Sequence, residues 1–235
     1  TIAVVGPNAT CLRSLLGNYN GTPLDPVTPL AGILRKAGDA IRVLYAQGCE
    51  PSARKTEGCA MHERDRFAEA LAAAERADVV IACIGLNPDM EGEIGDASNA
   101  DAAGDKRSVE LPAIQRELVD ALAATGTPLV LVNISGSAVA IPEDKAGAVV
   151  QAFYPGECGG TAIADVLFGD FNPCGRLPVT FYRTTDDLPP FGDYAMTNRT
   201  YRFFKGEPLY AFGHGISYTT FGYADLKVRR GRNGE

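Results

Sequence analysis

The sequence predicts an α/β protein, a three-layer α/β/α sandwich with a mostly parallel sheet and an aromatic C-terminal segment wrapped around it. Three observations support this fold class. Short apolar runs alternate with segments of helical periodicity, Gly, Pro or Asn follows most of the runs, and no internal repeat divides the chain. This alternation is typical of buried parallel strands whose connecting helices cover both faces of the sheet.

The first two strands are predicted over residues 1–6 and 41–46. TIAVVG is a short apolar run that leads into Gly-Pro-Asn, and IRVLYA has the alternation of a strand. The helix between them is expected to begin at Pro29, with Thr28 as its N-cap residue and Gly38 just past its end. The preceding loop GNYNGTP, at residues 17–23, has residue types that suit either a turn or a surface facing a hydroxyl-rich ligand.

The third, fourth and fifth strands are predicted from apolar runs at residues 79–84, 128–132 and 148–153. The helices that alternate with them are predicted at residues 64–76, 111–124 and 158–168. In the first of these helices Phe67, Leu71 and Ala74 recur at helical spacing, and Gly126 and Gly169 end the other two.

The pattern changes after residue 172. An edge strand is predicted over residues 175–182. The aromatic side chains of residues 201–204 and 210–218 are expected to contribute to the core, and the alternative is an interface with another domain or a platform for a bound sugar. Residues 221–228 resemble the first strand of something that follows. The sandwich domain is therefore predicted to cover residues 1–220, with residues 221–235 forming a linker or the start of a β domain. Because the chain begins directly on a core strand, we expect it to be a piece of a larger protein.

Composition excludes several classes of function. The formal net charge of -7 argues against a nucleic-acid partner, because phosphate binding relies on clustered Lys and Arg. No segment approaches the roughly 20 consecutive apolar residues of a membrane span. The six cysteines and two histidines lack the spacing of a zinc site. Cys49 and Cys59 flank a polar loop and are candidates for a disulfide if the protein is exported.

Absent motifs narrow the choice further. Val5 is followed by GPNA and not by GxGxxG, and the chain has no GxxxxGK[ST] loop and no GxSxG elbow. Ser135 and Ser137 have no obvious base partner. These absences predict no cofactor and leave carboxylate chemistry as the catalytic hypothesis.

The stretch from residue 81 to residue 115 is the strongest candidate for a site. An apolar run ends at Gly85, and a polar loop follows before Leu111 and Pro112 open a helix. Ligands of open α/β sheets bind beyond the carboxyl ends of the strands, where this loop is expected to lie. The carboxylates of this loop include Glu91, Glu93, Asp96, Asp101 and Asp105.

Three interpretations of this acidic loop stay open. It is a solvated surface, a Ca²⁺-binding loop or the site of carboxylate catalysis. Glycoside cleavage needs a proton donor and a second carboxylate on the other side of the scissile bond. Glu91 is the leading candidate for the donor, and DASNADAAGD is only a loose fit to a Ca²⁺ loop.

The chain resembles the second domain of glycoside hydrolase family 3, which contains β-glucosidases and β-xylosidases. The resemblance extends over almost the whole length, and its motifs occur in family order. They are IAVVGPNA, GNYNGTP, YAQGC, DVVIACIGL with EGE, DKRSVELPAIQRELVDAL, PLVLVNISGSAVAI, AFYPGECGGTAIADVLFGDFNPCGRLPVTFY, RTYRFF and PLYAFGHGISYTTF.

The resemblance implies half of a retaining β-glycosidase. In such enzymes a preceding (β/α)₈ barrel carries the nucleophilic Asp, and a loop of the sandwich domain carries the acid/base Glu. Glu91 matches that position, with Glu93 as the second candidate. The implied substrates are β-linked gluco- or xylo-oligosaccharides or aryl glycosides, and the expected location is periplasmic or secreted. The competing hypothesis is a non-catalytic carbohydrate- or protein-binding module on the same scaffold.

Overall fold

The computed structural model describes residues 1–52, 64–92 and 106–229. Within these ranges five strands form one sheet in the order β2-β1-β3-β4-β5, and all four strand pairings are parallel. The predicted α/β sandwich is confirmed, and its sheet is entirely parallel. The strands are β1 (Ile2–Val5), β2 (Val43–Ala46), β3 (Val79–Gly85), β4 (Leu129–Ile134) and β5 (Ala148–Gln151). The helices are α1 (Pro29–Ala37), α2 (Phe67–Ala74), α3 (Ala113–Ala124), α4 (Gly159–Leu167) and α5 (Thr200–Phe203).

Helices cover both faces of the sheet. Side chains alternate along each strand, so Ala3 and Val5 point to one face and Val4 to the other. The first face packs against α2 and α3, and the second packs against α1 and α4. The sheet therefore has two apolar layers, which explains why its strands are continuous apolar runs.

Helices α1 and α4 approach each other through glycines. A Cβ on Gly160 would lie 2.0 Å from the carbonyl oxygen of Thr28, and a Cβ on Gly32 would lie 2.0 Å from the carbonyl oxygen of Gly160. The predicted caps of α1 are confirmed. Thr28 accepts a hydrogen bond from the N–H of Ala31, and Gly38 ends the helix at φ 52°.

The strand order reverses between β1 and β3, and in doubly wound sheets the crevice at this point is the usual ligand site. Here Asn8 fills it. Its backbone N–H donates to the carbonyl of Cys83 at 3.2 Å, and its side-chain amide donates to the carbonyl of Leu86 at 3.2 Å. Asn8 is completely buried, so the chain itself occupies the switch point.

Two of the C-terminal predictions are wrong. Residues 175–182 form no continuous edge strand. Leu177 exchanges backbone hydrogen bonds with Gly213 and His214, Phe181 forms an isolated bridge with Tyr210, and Pro178 between them has no N–H to donate. Residues 221–228 have no strand partner among the described residues, and the linker or β domain expected at residues 221–235 stays a prediction. Tyr201 and Phe212 stack on each other 4.6 Å apart at the surface instead of entering the core. The wrapping of the sheet by this segment stays a prediction.

Within residues 1–52, 64–92 and 106–229, none of the helices has the length and hydrophobicity of a membrane span. These residues also contain no group of three or more His, Cys, Asp or Glu side chains that could hold a metal ion. The proposed Ca²⁺ loop and the Cys59 half of the proposed disulfide lie outside the described residues.

Candidate active site

The candidate site lies where the chain leaves the carboxyl ends of β3, β4 and β5. A tight turn after β3 presents Glu91 to this edge. The backbone N–H groups of Met90 and Glu91 donate to the carbonyl of Asn87 at 2.9 and 3.1 Å, and the Asn87 side chain accepts from the N–H of Asp89 at 3.0 Å. Asn87 thus forms the turn that directs the Glu91 side chain toward the loop after β4.

The carboxylate of Glu91 is surrounded by hydrogen-bond donors. Its Oε2 atom accepts from the N–H of Gly136 at 2.7 Å and from the hydroxyl of Tyr154. Its Oε1 atom accepts from the N–H of Ser137 at 3.1 Å and from the Ser137 hydroxyl. Only 9% of the side chain is exposed. Four donors therefore address the four lone-pair sites of one carboxylate.

Lys106 supplies positive charge beside this carboxylate. Its Nζ atom lies 3.9 Å from Oε1 of Glu91 and donates to the carbonyl of Ala138 at 3.2 Å. Burial lowers the pKa of Lys106 below its ordinary value, and the negative charges of Glu91 and Glu110 oppose that shift. Lys106 thus interacts electrostatically with two carboxylates, those of Glu91 and Glu110.

Tyr154 is held in the neutral form that donates to Glu91. Burial raises the pKa of its hydroxyl, and the negative charge of Glu91 raises it further. The residue before it, Phe153, has a left-handed backbone with φ 53°, an unusual conformation for a bulky side chain. Gly136 lies under the ring, where an added Cβ would be 2.6 Å from Cε2 of Tyr154. Strain and close packing of this kind concentrate at functional sites.

Two further segments support the Glu91 turn. The side-chain amide of Asn18 donates to the backbone carbonyl of Glu91 at 3.2 Å, so the loop at residues 17–23 contacts the site. Gln115, buried in α3, binds both the backbone N–H and the backbone carbonyl of Gly85. Its Oε1 accepts from the Gly85 N–H at 2.8 Å, and its Nε2 donates to the Gly85 carbonyl at 2.7 Å. Gln115 thereby fixes the end of β3, from which the turn departs.

The sequence placed one carboxylate correctly at this edge and missed its surroundings. Glu91 lies at the carboxyl end of the sheet, while Glu93, Asp96, Asp101 and Asp105 lie outside the described residues. The contacts that the sequence did not predict are made by Gly136 and Ser137 after β4 and by Tyr154 after β5. Lys106, between β3 and α3, was also missed. Small polar residues directly after a predicted strand were the available signal.

Comparison with known proteins assigns the family. The model of the glycosyl hydrolase family 3 C-terminal domain matches residues 1–218. The chain belongs to glycosyl hydrolase family 3. A xylan 1,4-β-xylosidase of Xylanibacter ruminicola is 47% identical over 72% of this family 3 chain and 20% of its own length. A periplasmic β-glucosidase of Salmonella typhimurium is 37% identical over 97% of the chain and 32% of its own length.

Solved structures agree with this family 3 assignment. An exo-β-xylosidase of the family, solved with a xylobiose aziridine activity-based probe, has a TM-score of 0.78 and 32% identity over 94% of this chain and 28% of its own. A β-glucosidase from Erythrobacter marinus has a TM-score of 0.76 and 38% identity over 95% of this chain and 32% of its own. The chain thus spans a third or less of the length of these relatives.

Proposed function

We propose that this family 3 domain carries the acid/base residue of a retaining, exo-acting β-glycosidase. The observation that carries the proposal is the Glu91 turn, which brings the start of the acidic loop to the carboxyl edge of β3, β4 and β5 in a family 3 domain. A preceding (β/α)₈ barrel would supply the nucleophilic Asp. The two carboxyl groups would then stand ~5–5.5 Å apart, the separation that retaining enzymes use.

We assign the acid/base role to Glu93 in preference to Glu91. A general acid must give its proton to the leaving oxygen and later take one from water, so it needs an unoccupied oxygen facing the substrate. The Glu91 oxygens are already engaged by Gly136, Ser137 and Tyr154, and its side chain is 9% exposed. Glu93 is two residues further along the chain, on the loop that Glu91 begins.

The substrate class follows from the relatives. Proteins named β-xylosidase and β-glucosidase both match this chain over most of its length, so β-linked xylo- or gluco-oligosaccharides and aryl β-glycosides are the proposed substrates. The Salmonella relative is named as periplasmic, which supports the proposed periplasmic or secreted location.

The role of Glu93 can be tested in the longer protein that carries this chain. We expect Glu93→Ala to lower kcat/KM by about 10² to 10⁴ for a methyl β-glycoside, whose leaving group must be protonated. The 2,4-dinitrophenyl β-glycoside should lose far less activity, because its leaving group needs no acid. Sodium azide should accelerate turnover of the dinitrophenyl substrate and yield a β-glycosyl azide, identified by mass spectrometry.

Glu91→Ala is the matched variant, and it should form no glycosyl azide. Azide rescue in Glu91→Ala, with Glu93→Ala unaffected, would transfer the acid/base role to Glu91. A wild-type protein that binds xylo- or gluco-oligosaccharides without hydrolysing any of these substrates would reject the glycosidase proposal in favour of a binding module.

A further inference from the structure

Both ends of the acidic loop are fastened to one short turn. Glu91 stands at the start of the acidic loop, and its carboxylate binds the backbone N–H groups of Gly136 and Ser137. Lys106 follows the loop and binds the backbone carbonyl of Ala138. Residues that stand 15 positions apart in the sequence thus contact three consecutive residues after β4, and their charged groups lie 3.9 Å from each other.

The chemistry of the two side chains suits this task. The Glu91 carboxylate accepts hydrogen bonds from N–H groups of the turn, and the Lys106 side chain donates one to a carbonyl of the same turn. The two side chains therefore satisfy both backbone donors and a backbone acceptor. The pair is largely buried, with 9% and 22% of the two side chains exposed. Loss of either partner would leave a buried charge without its counter-charge, which is far more costly than loss of an exposed ion pair.

We infer that Glu91 and Lys106 are positioning residues that together set where the loop presents Glu93 to the substrate. The inference rests on the proposed function, since it concerns the delivery of the acid that Glu93 would supply. Neither residue donates the transferred proton. Catalysis is sensitive to such support, because a displacement of about 1 Å in a reacting group costs roughly 10² in rate.

The test uses a leaving-group ratio, defined as kcat/KM for the 2,4-dinitrophenyl β-glycoside divided by kcat/KM for the methyl β-glycoside. A misplaced acid raises this ratio, because only the methyl substrate depends on proton donation. An unfolded fraction lowers both terms equally and leaves the ratio unchanged. We expect Lys106→Met and Glu91→Gln each to raise the ratio by about tenfold or more in the full-length protein.

Lys36→Met is the matched control. Lys36 binds Asp165 and Asp170 on the other face of the sheet, so its loss removes a lysine and its ion pairs without touching the loop. Its ratio should equal that of the wild type. If either Lys106→Met or Glu91→Gln stays within about twofold of the wild-type ratio while Glu93→Ala raises it, the positioning role of Glu91 and Lys106 is rejected and the proposed function stands. If Glu93→Ala leaves the ratio unchanged, the assignment of the acid/base role to Glu93 fails, and this inference fails with it.

Discussion

At the scale of single residues, burial decides the chemistry of the cysteines. Cys83 lies in β3 with none of its surface exposed, and burial raises the pKa of its thiol from 9.0 to about 12. Burial also raises the pKa of Cys49 to about 12. Only the thiolate reacts with alkylating agents, so the buried Cys83 is chemically inert and acts as a small apolar side chain.

The difference in burial between Cys83 and the exposed Cys158 and Cys174 predicts a selective alkylation pattern. At pH 9 a buried thiol whose pKa is raised from 9.0 to about 12 is ionised to about one part in a thousand. Iodoacetamide should therefore modify the exposed Cys158 and Cys174 and spare Cys83 in the native protein. Peptide mass spectrometry after a timed reaction measures the three sites, and the same reaction in 6 M guanidinium provides the control in which all of them react. Rapid native labelling of Cys83 would contradict its burial.

The residue scale also marks the limit of sequence analysis at the site. Glu91 could be located because an acidic residue after an apolar strand is a local pattern. Its donors Gly136 and Tyr154 lie 45 and 63 residues away in the sequence. They reach Glu91 only because β4 and β5 follow β3 in the sheet, and strand order is not encoded in local periodicity. The sequence therefore could not show that hydrogen-bond donors occupy both oxygens of Glu91, which is the reason for assigning the proposed acid role to Glu93.

At the scale of elements, the glycine contact between α1 and α4 limits what the fold tolerates. Gly160→Ala would place a Cβ against the carbonyl oxygen of Thr28, and backbone cannot move aside as a side chain can. Overpacking of this kind costs about 1–3 kcal/mol. We expect faster hydrogen exchange across both helices, measured by mass spectrometry in the full-length protein.

Gly192→Ala provides the comparison for this variant. An added Cβ on Gly192 would meet no atom within 4 Å, so its exchange rates should match those of the wild type. Unchanged protection of α1 and α4 in Gly160→Ala would show that the two helices can separate without cost.

Prediction of the elements succeeded where the signal was local and failed where it was not. The caps of α1 were predictable because Thr28, Pro29 and Gly38 act within one helix. The edge strand predicted over residues 175–182 was wrong because an extended segment becomes a strand only beside a continuous partner, and the sequence cannot name the partner.

At the scale of the whole molecule, the chain provides one side of the proposed catalytic centre. We expect the 235-residue chain alone to hydrolyse no aryl β-xyloside or β-glucoside above the level of a mock purification, because the proposed nucleophile belongs to another domain. Activity of the longer protein on the same substrates is the positive control. Turnover by the isolated chain would place both carboxylates within it and would overturn the division of labour proposed above.

The buried Asn8 has a consequence at this scale. Asn8 occupies the crevice at the switch point, which is where the topology of a doubly wound sheet would otherwise place a ligand pocket. Any reacting group on this sheet must then work at the rim and depends on a facing surface from elsewhere. Covalent linkage can hold that surface at millimolar effective concentration, so the specific activity of a single-chain enzyme would be independent of dilution, whereas two separate pieces would lose activity as they dissociate.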